Sequence, residues 1–254
     1  MILSLFRLGC DRLDAAGNVV DGLADTTVAQ ALFLGADIPF GISLPDDSGI
    51  YTSAAKVFLA EVTDASDVTN SPVTGADVSF LASGTGKLDF DEEAEGEYRL
   101  FSQDGLEYTP GELAHVSFSN GTETGEMVVR CPEAPEFETP ENPKANEPMH
   151  VEITKGEFAN VVAAVYDVDH DKLEWDNLPD DFTSATELNP EDADPITFVD
   201  IPAEAFKRKS HYIIGVGGLV TGDPDDFSGT NVALSAFAAG RLAIQYVEVA
   251  SNLR

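Results

Sequence analysis

The feature that most constrains this chain is a period-two alternation of apolar and polar residues in short segments. In ADVSFLAS, for example, Val78 and Phe80 flank Ser79, and in GEYRLFS the residues Tyr98 and Leu100 flank Arg99. Successive side chains of a strand point to opposite faces, so each segment predicts a strand with one buried face. Two further segments repeat the pattern, with apolar pairs Val116 and Phe118, and Met127 and Val129. Turn residues separate these segments roughly every ten residues, which is typical of an antiparallel β-sandwich.

The chain has 254 residues, enough for two sandwiches of ordinary size. Between Cys131 and Met149 the sequence is PEAPEFETPENPKANEP, with five prolines and almost no apolar residues. Such a stretch predicts a linker or an extended crossing segment. We therefore expect an all-β protein with two antiparallel sandwich domains in tandem. The predicted divisions are an N-terminal arm or signal remnant at 1–26, a first sandwich at 27–131, a Pro-rich linker at 132–148 and a second sandwich at 149–254.

Several segments are apolar on more than one face. AAKVFLAEV at 54–62 predicts a central strand, whereas 28–34 favours an extended strand with a helix as the alternative. Residues 231–240 stay open between helix and strand, because the alanines favour a helix and the position between strands does not. In the second domain the expected inward sets are Val161, Ala163 and Val165 in one strand, and Leu242, Ile244 and Tyr246 in another.

Two motifs in the first half resemble a known family. Pro72-Val73-Thr74-Gly75-Ala76-Asp77-Val78-Ser79-Phe80, followed by Gly96-Glu97-Tyr98-Arg99-Leu100, is similar to the carboxypeptidase-regulatory-like or transthyretin-like sandwich modules of bacterial envelope proteins. The match covers about 65 residues. It implies an Ig-like or transthyretin-like sandwich with Gly75 in a turn and Tyr98 in the core, its hydroxyl at the edge. The whole chain also resembles exported bacterial lipoproteins.

The balance of charges excludes one class of partner. The sequence contains 46 acidic and 14 Lys or Arg residues, which gives a formal net charge of -32. The only basic run is Lys207-Arg208-Lys209, too short to attract phosphates against the surrounding negative field, so we expect no nucleic-acid partner. An acidic surface suits salty surroundings or, as the alternative, cation sites.

The cysteines Cys10 and Cys131 are too far apart in sequence for a CxxC pair. Gly9-Cys10 matches the end of a lipoprotein signal, but Arg7 interrupts a short apolar segment, so a truncated signal and an ordinary N-terminus both stay open. Cys10 is accordingly a candidate for lipidation, for a long-range disulfide with Cys131, or for neither. No apolar run is long enough for a membrane-spanning helix, and the expected membrane contact is only through a lipid on Cys10.

The sharpest local feature is YDVDHDKLEWD, in which Asp167, Asp169 and Asp171 alternate. These carboxylates are candidate ligands for a hard cation, and Ca²⁺ is the candidate cofactor. The EF-hand pattern is not met, because Lys172 and Leu178 occupy the positions of its glycine and glutamate. The alternative is a solvated strand end that turns into a hairpin. Residues 223–226, DPDD, form a second acidic loop that would complete a cation site if it lies nearby.

No motif for nucleophilic, metal-dependent or nucleotide chemistry is present, and GVGG at 215–218 lacks the context of a dinucleotide site. We therefore expect a non-catalytic, exported structural or interaction protein of the bacterial cell surface or envelope. Its partner would be another protein or a second copy of itself. The alternatives are a calcium- or carbohydrate-binding accessory module and a hydrolase with an unrecognised site.

Overall fold

A computed structural model describes residues 26–37, 52–62, 71–82, 86–177, 193–231 and 235–251. The described residues form fifteen strands and three short 3-10 turns, with no α-helix among them. The strands are β1 (Thr26–Asp37), β2 (Ser53–Val62), β3 (Asp77–Ala82), β4 (Gly86–Asp89), β5 (Asp91–Ala94), β6 (Glu97–Phe101), β7 (Leu113–Ser119), β8 (Thr124–Arg130), β9 (Glu136–Glu138), β10 (Met149–Lys155), β11 (Asn160–Asp167), β12 (Lys172–Asp176), β13 (Phe198–Ile201), β14 (Ser210–Thr221) and β15 (Ala236–Val249).

The strands make three sheets. The largest has eight strands in the order β12-β11-β14-β15-β1-β2-β6-β5, while the others have the orders β4-β3-β7-β8 and β13-β10-β9. Every pairing between named strands is antiparallel except that of β1 with β15, which is parallel from Gln30 opposite Ala236 to Asp37 opposite Ala243. The first and last described strands are therefore neighbours at the centre of the large sheet.

The two smaller sheets cover the same face of the large one. Strand β15 contributes Phe237 and Ala239 to the core beneath the four-stranded sheet, and Val247 and Val249 to the core beneath the three-stranded sheet. All four positions are odd-numbered, and alternate residues of a regularly paired strand share a face. The protein is therefore an all-β molecule with two sandwiches side by side, which share the eight-stranded sheet as their common layer.

The opposite face of the large sheet carries a third apolar cluster, which includes Leu34 of β1, Ile213 of β14, and Leu242 and Ile244 of β15. Central strands of this sheet are consequently apolar on both faces. This explains why period-two alternation was weak in 28–34 and in 54–62, both of which are strands as expected. Residues 236–240 are also in a strand, and 232–234 lie outside the described residues.

The predicted inward residues of the first sandwich are confirmed. The paired apolar residues predicted in β3, β6, β7 and β8 are buried, namely Val78, Phe80, Tyr98, Leu100, Val116, Phe118, Met127 and Val129. Val161, Ala163 and Val165 are also inward, in the second core. The prediction for Tyr246 is wrong, because its side chain is 50% exposed. The second core receives the odd-numbered residues of β15, whereas Leu242 and Ile244 lie in the third cluster.

The Pro-rich segment 132–148 contains the short strand β9, which pairs with β10. It is also held against the chain end, since Pro143 accepts a hydrogen bond from the Ala250 N–H and Ala145 donates one to the Ala250 carbonyl. Strands from both predicted domains join one sheet, so the division at 132–148 stays a prediction about independent folding. The predicted arm at 1–26 lies outside the described residues except for Thr26, the first residue of β1.

Two glycines occupy positions that other residues would not fit. Gly75 has φ +67°, the left-handed conformation expected in a turn. Gly218 of the GVGG segment lies under the ring of Phe158, and a Cβ at this position would come within 2.2 Å of that ring. The glycine thus permits an aromatic ring to pack closely on a strand. Across the described ranges, no helix has the length and apolar character needed to cross a bilayer.

Candidate functional site

The acidic segment 167–171 forms the end of β11 and the turn into β12. Asp167 is fully buried and accepts a hydrogen bond from the Ser210 hydroxyl at 2.5 Å. The Nδ1 atom of His170 lies 3.0 Å from the same carboxylate, and the Nε atom of Arg208 lies 3.6 Å from it. Because a buried carboxylate requires compensating donors and charge, these contacts offset part of the cost of burying Asp167, whose Oδ2 atom accepts no hydrogen bond from the described residues.

Asp169 lies at the surface and faces the start of β14. It accepts hydrogen bonds from the backbone N–H of His211 at 3.0 Å, from the ring Nδ1 of His211 at 3.0 Å and from the Ser210 hydroxyl at 3.0 Å. The backbone hydrogen bond from His211, with the further bonds from its ring and from Ser210, lowers the pKa of Asp169 below its ordinary value. The His211 ring in turn stacks on the exposed ring of Tyr246, with 5.4 Å between centroids.

Asp171 has φ +51° in the turn, and its carboxylate accepts a hydrogen bond from the Tyr166 hydroxyl. Asp167 and Asp169 thus share the Ser210 hydroxyl as a donor, while Asp171 accepts its hydrogen bond from a different group, the Tyr166 hydroxyl. In the parts of the chain that are described, no three His, Cys, Asp or Glu residues converge in a way that would hold a metal ion. The calcium interpretation of Asp167, Asp169 and Asp171 stays a prediction.

A buried glutamate beside this turn was not anticipated from the sequence. The Glu174 side chain is fully buried in β12, where Lys207 and Lys172 contact it at 2.6 and 3.0 Å, and Arg208 at 2.8 Å. Burial alone would raise the pKa of Glu174, but the hydrogen bonds from Lys207 and Lys172 outweigh it and lower the pKa below its ordinary value. Lys207 and Arg208, two residues of the basic run 207–209, therefore form ion pairs within the molecule.

The histidines share one property that the sequence did not reveal. Each of the four in the chain lies within 3.0 Å of a carboxylate, although the partner is usually distant in sequence. The pairs are His115 with Glu126, His150 with Asp200, His170 with Asp167, and His211 with Asp169. Two of them, His115–Glu126 and His150–Asp200, lie on the outer faces of the two smaller sheets.

Cys131 is buried at the end of the first core and has no disulfide to another residue in the described part of the chain. Burial, and to a smaller extent the charge of Glu112, raises the pKa of the Cys131 thiol to about 12, although a hydrogen bond from Tyr108 acts in the opposite direction. Cys10, the other candidate for lipidation or a disulfide, lies outside the described residues, so both interpretations of Cys10 stay predictions.

The outer face of the four-stranded sheet is the second candidate site. Its apolar end carries Leu81 and Leu113, with side chains 47% and 41% exposed. Leu81 is opposite His115 of β7, and His115 is opposite Val128 of β8, so all four side chains share one region of the face. We call this region the leucine patch.

The other end of the same face is a polar groove of about 690 Å³. Outward-pointing Ser79 and Ser117 are opposite each other on its floor, and the carboxylates of Asp77, Asp89 and Glu126 lie around them. We call this region the acidic groove. Sequence patterning predicts the outward direction of these side chains, but not the pairing that brings them together.

No protein-family model matches the sequence, and no curated protein matches it. Among solved structures, a segment of two fibronectin type-III domains from chicken tenascin is 5% identical, with a TM-score of 0.27 over 77% of this chain and 92% of that chain. The FN1–FN3 domains of chicken CNTN1 are 11% identical, with a TM-score of 0.18 over 78% of this chain and 62% of that chain. The complex of Dpr11 IG1 with DIP-gamma IG+IG2 is 6% identical, with a TM-score of 0.22 over 89% of this chain and 99% of that chain.

These similarities are too low to say anything about activity or partners. The β-sandwich architecture of the chain follows from its own strand pairing, which gives two smaller sheets packed on one large sheet. A sandwich of this kind carries many unrelated functions, so function has to be argued from the exposed faces.

Proposed function

We propose that this protein is a non-catalytic, exported interaction protein, and that it binds a protein partner through the outer face of its four-stranded sheet. The observation that carries the proposal is the leucine patch, in which Leu81 and Leu113 are exposed beside His115 and Val128. Single exposed leucines are common, but two on adjacent strands of one face add apolar surface of the kind that partners cover.

The face is rigid, which favours binding. The inward side chains of the same strands, among them Phe80 and Val116, are fully buried in the first core. Because their positions are fixed by packing, the outward residues are held in place before a partner arrives. A preorganised surface loses less conformational entropy on binding than a loop does.

The edges of the sheets are less suitable than this face for association. The outermost strand of the large sheet on one side, β5, has the sequence DEEA and is exposed throughout. On the other side β12 contains Lys172 and Glu174, and β8 of the four-stranded sheet is bridged by Ser228. Charged or covered edges discourage the addition of a foreign strand. A partner that lies on the face is therefore favoured over self-assembly by strand exchange.

Export and a position at the bacterial cell surface are part of the proposal. Their support is the net charge of -32, which suits a solvated surface in salty surroundings. The lipoprotein interpretation of Cys10 belongs to the same proposal, and the mass of the intact protein measured without reducing agent tests it directly.

The experiment that tests the interaction is photo-cross-linking in the producing cells. A photoreactive amino acid replaces Leu81 in one strain, Leu113 in a second, and Glu152 on the outer face of the three-stranded sheet in a control. We expect a discrete cross-linked protein from positions 81 and 113, and none from position 152. Equal cross-linking at all three positions, or none at 81 and 113, would contradict the proposed function.

A further inference from the structure

We infer that the partner presents an extended, basic segment with apolar side chains to this face, and that the partner is not a second copy of this chain. The inference rests on the proposed function and adds the chemistry of the partner. It is carried by the arrangement of the leucine patch and the acidic groove along the same strands.

The first step is the order of side chains on the face. In β3 the outward residues are Asp77, Ser79 and Leu81, so the strand runs from the acidic groove to the leucine patch. The neighbouring strand β7 has the same order of side chains, because Ser117 is opposite Ser79 in the groove and His115 is opposite Leu81 in the patch. Asp77 and Leu81 are four residues apart, which corresponds to about 13 Å along a strand.

The second step is the charge of the groove. Its lining holds the carboxylates of Asp77, Asp89 and Glu126 and one ammonium group, that of Lys87, while Glu126 also contacts the His115 ring at 2.7 Å. Lys87 lies 3.6 Å from Asp89, and both side chains are largely exposed, so this pair is weak. The groove keeps a net negative charge beside hydroxyl groups, which together accept hydrogen bonds from lysine or arginine.

The third step excludes a second copy. A symmetric contact would use the same face of both molecules, and therefore bring both acidic grooves into one interface. Each chain also carries a net charge of -32, so two copies repel one another on approach. A basic partner is attracted by the same field, and its apolar side chains cover Leu81 and Leu113.

These steps define the partner segment. It is an extended chain in which apolar and basic side chains on one face are four residues apart, matching the spacing from Leu81 to Asp77. A suitable probe is the peptide Leu-Ser-Leu-Ser-Lys-Ser-Lys-amide with fluorescein on its N-terminal amine. Its matched controls replace both lysines with glutamate, or both leucines with serine.

The test measures binding of each peptide to the full chain by fluorescence anisotropy and locates the contact by amide chemical shifts. We expect saturable binding of the lysine peptide, with shifts in β3, β7 and β8. The glutamate peptide should bind at least about tenfold more weakly, and about 0.3 M salt should reduce the affinity of the lysine peptide. Asp77→Asn with Glu126→Gln should weaken the lysine peptide, whereas Glu152→Gln should not.

Equal affinity for the lysine and glutamate peptides, or no saturable binding of the lysine peptide up to millimolar concentration, would overturn the inference. A dimer in sedimentation that dissociates on Leu81→Ser would also overturn it, in favour of a second copy. If the peptides fail but positions 81 and 113 still give a cross-linked protein, only the partner chemistry is wrong. If both experiments fail, the proposed function is wrong as well.

Discussion

The Tyr98 hydroxyl donates a hydrogen bond to the carbonyl of Val73 at 2.8 Å and accepts one from the N–H of Ala76 at 3.0 Å. Its ring is buried in the first core, and burial raises the pKa of the phenol above its ordinary value. Strand β6 is thereby tied to the turn that precedes β3. The two sequence motifs that resemble transthyretin-like modules are thus joined by a single side chain.

Replacement of this hydroxyl tests its contribution. Tyr98→Phe keeps the ring but leaves the Val73 carbonyl and the Ala76 N–H without their partner. We expect the free energy of unfolding to fall by about 1–3 kcal/mol, the usual cost of lost hydrogen bonds at a buried site. Urea denaturation measures the change. Tyr246→Phe, at a half-exposed ring, is the control, and an equal effect of both substitutions would contradict the role of the hydroxyl.

The buried charge of Glu174 gives a second prediction. Glu174→Gln removes the negative charge while Lys172, Lys207 and Arg208 stay close together, so these cations repel one another. All three are partly exposed and water screens them, which limits the expected loss to about 1–2 kcal/mol. Glu204→Gln, at an exposed position, should change the urea midpoint little. An unchanged midpoint for Glu174→Gln would show that the cluster does not stabilise the fold.

The lowered pKa values of Asp169 and Glu174 predict loss of stability in acid. Both groups have ordinary pKa values near 4 in the unfolded chain, so the native state favours their ionised forms. Their stabilisation is complete above those ordinary values and is lost as the pH falls through the lowered values of the folded state. The urea midpoint should therefore decrease below about pH 4.5. Asp169→Asn should flatten this decrease, whereas Asp194→Asn, at an exposed position, should leave it unchanged.

The raised pKa of Cys131 predicts an unreactive thiol. In a Cys10→Ser variant at neutral pH, the native protein should not react with Ellman's reagent within minutes, because the thiol is both protonated and buried. Unfolding in guanidinium should then release one reactive thiol per chain. Rapid stoichiometric reaction of the native variant would contradict the burial of Cys131.

The wild-type chain requires a separate measurement. Intact mass without reducing agent distinguishes a loss of two hydrogens, a gained diacylglycerol and an unmodified pair. A loss of two hydrogens would mean that Cys10 reaches Cys131, a diacylglycerol would support the lipoprotein interpretation, and no change would contradict both.

The strands were predictable where one face is buried and the other is wet. Val78 and Phe80 alternate with polar neighbours, so the pattern alone gave their direction. It failed for Tyr246, because β15 serves two cores on one face and a third cluster on the other. The pairing of β1 with β15 was also beyond prediction, since the apolar pattern of a strand contains no information about a partner some 200 residues away.

The candidate sites show the same limit. The alternation of Asp167, Asp169 and Asp171 was visible in the sequence, but their hydrogen-bond donors come mostly from the start of β14. The burial of Glu174 depends on Lys207 and Arg208, which reach it only through the fold. The leucine patch likewise arises from cross-strand pairing, which single segments cannot specify.

The parallel pairing of β1 with β15 also bears on the order in which the molecule is made. A ribosome synthesises β1 about 200 residues before β15, so the centre of the large sheet cannot close until β15 has emerged. Until then one edge of β1 is unpaired, because the eight residues from Gln30 to Asp37 pair with Ala236 to Ala243 of β15. The large sheet therefore closes late in the folding of this molecule. A truncated product that lacks β15 would lose a central strand of the large sheet, and both sandwiches would lose the core residues that this strand contributes.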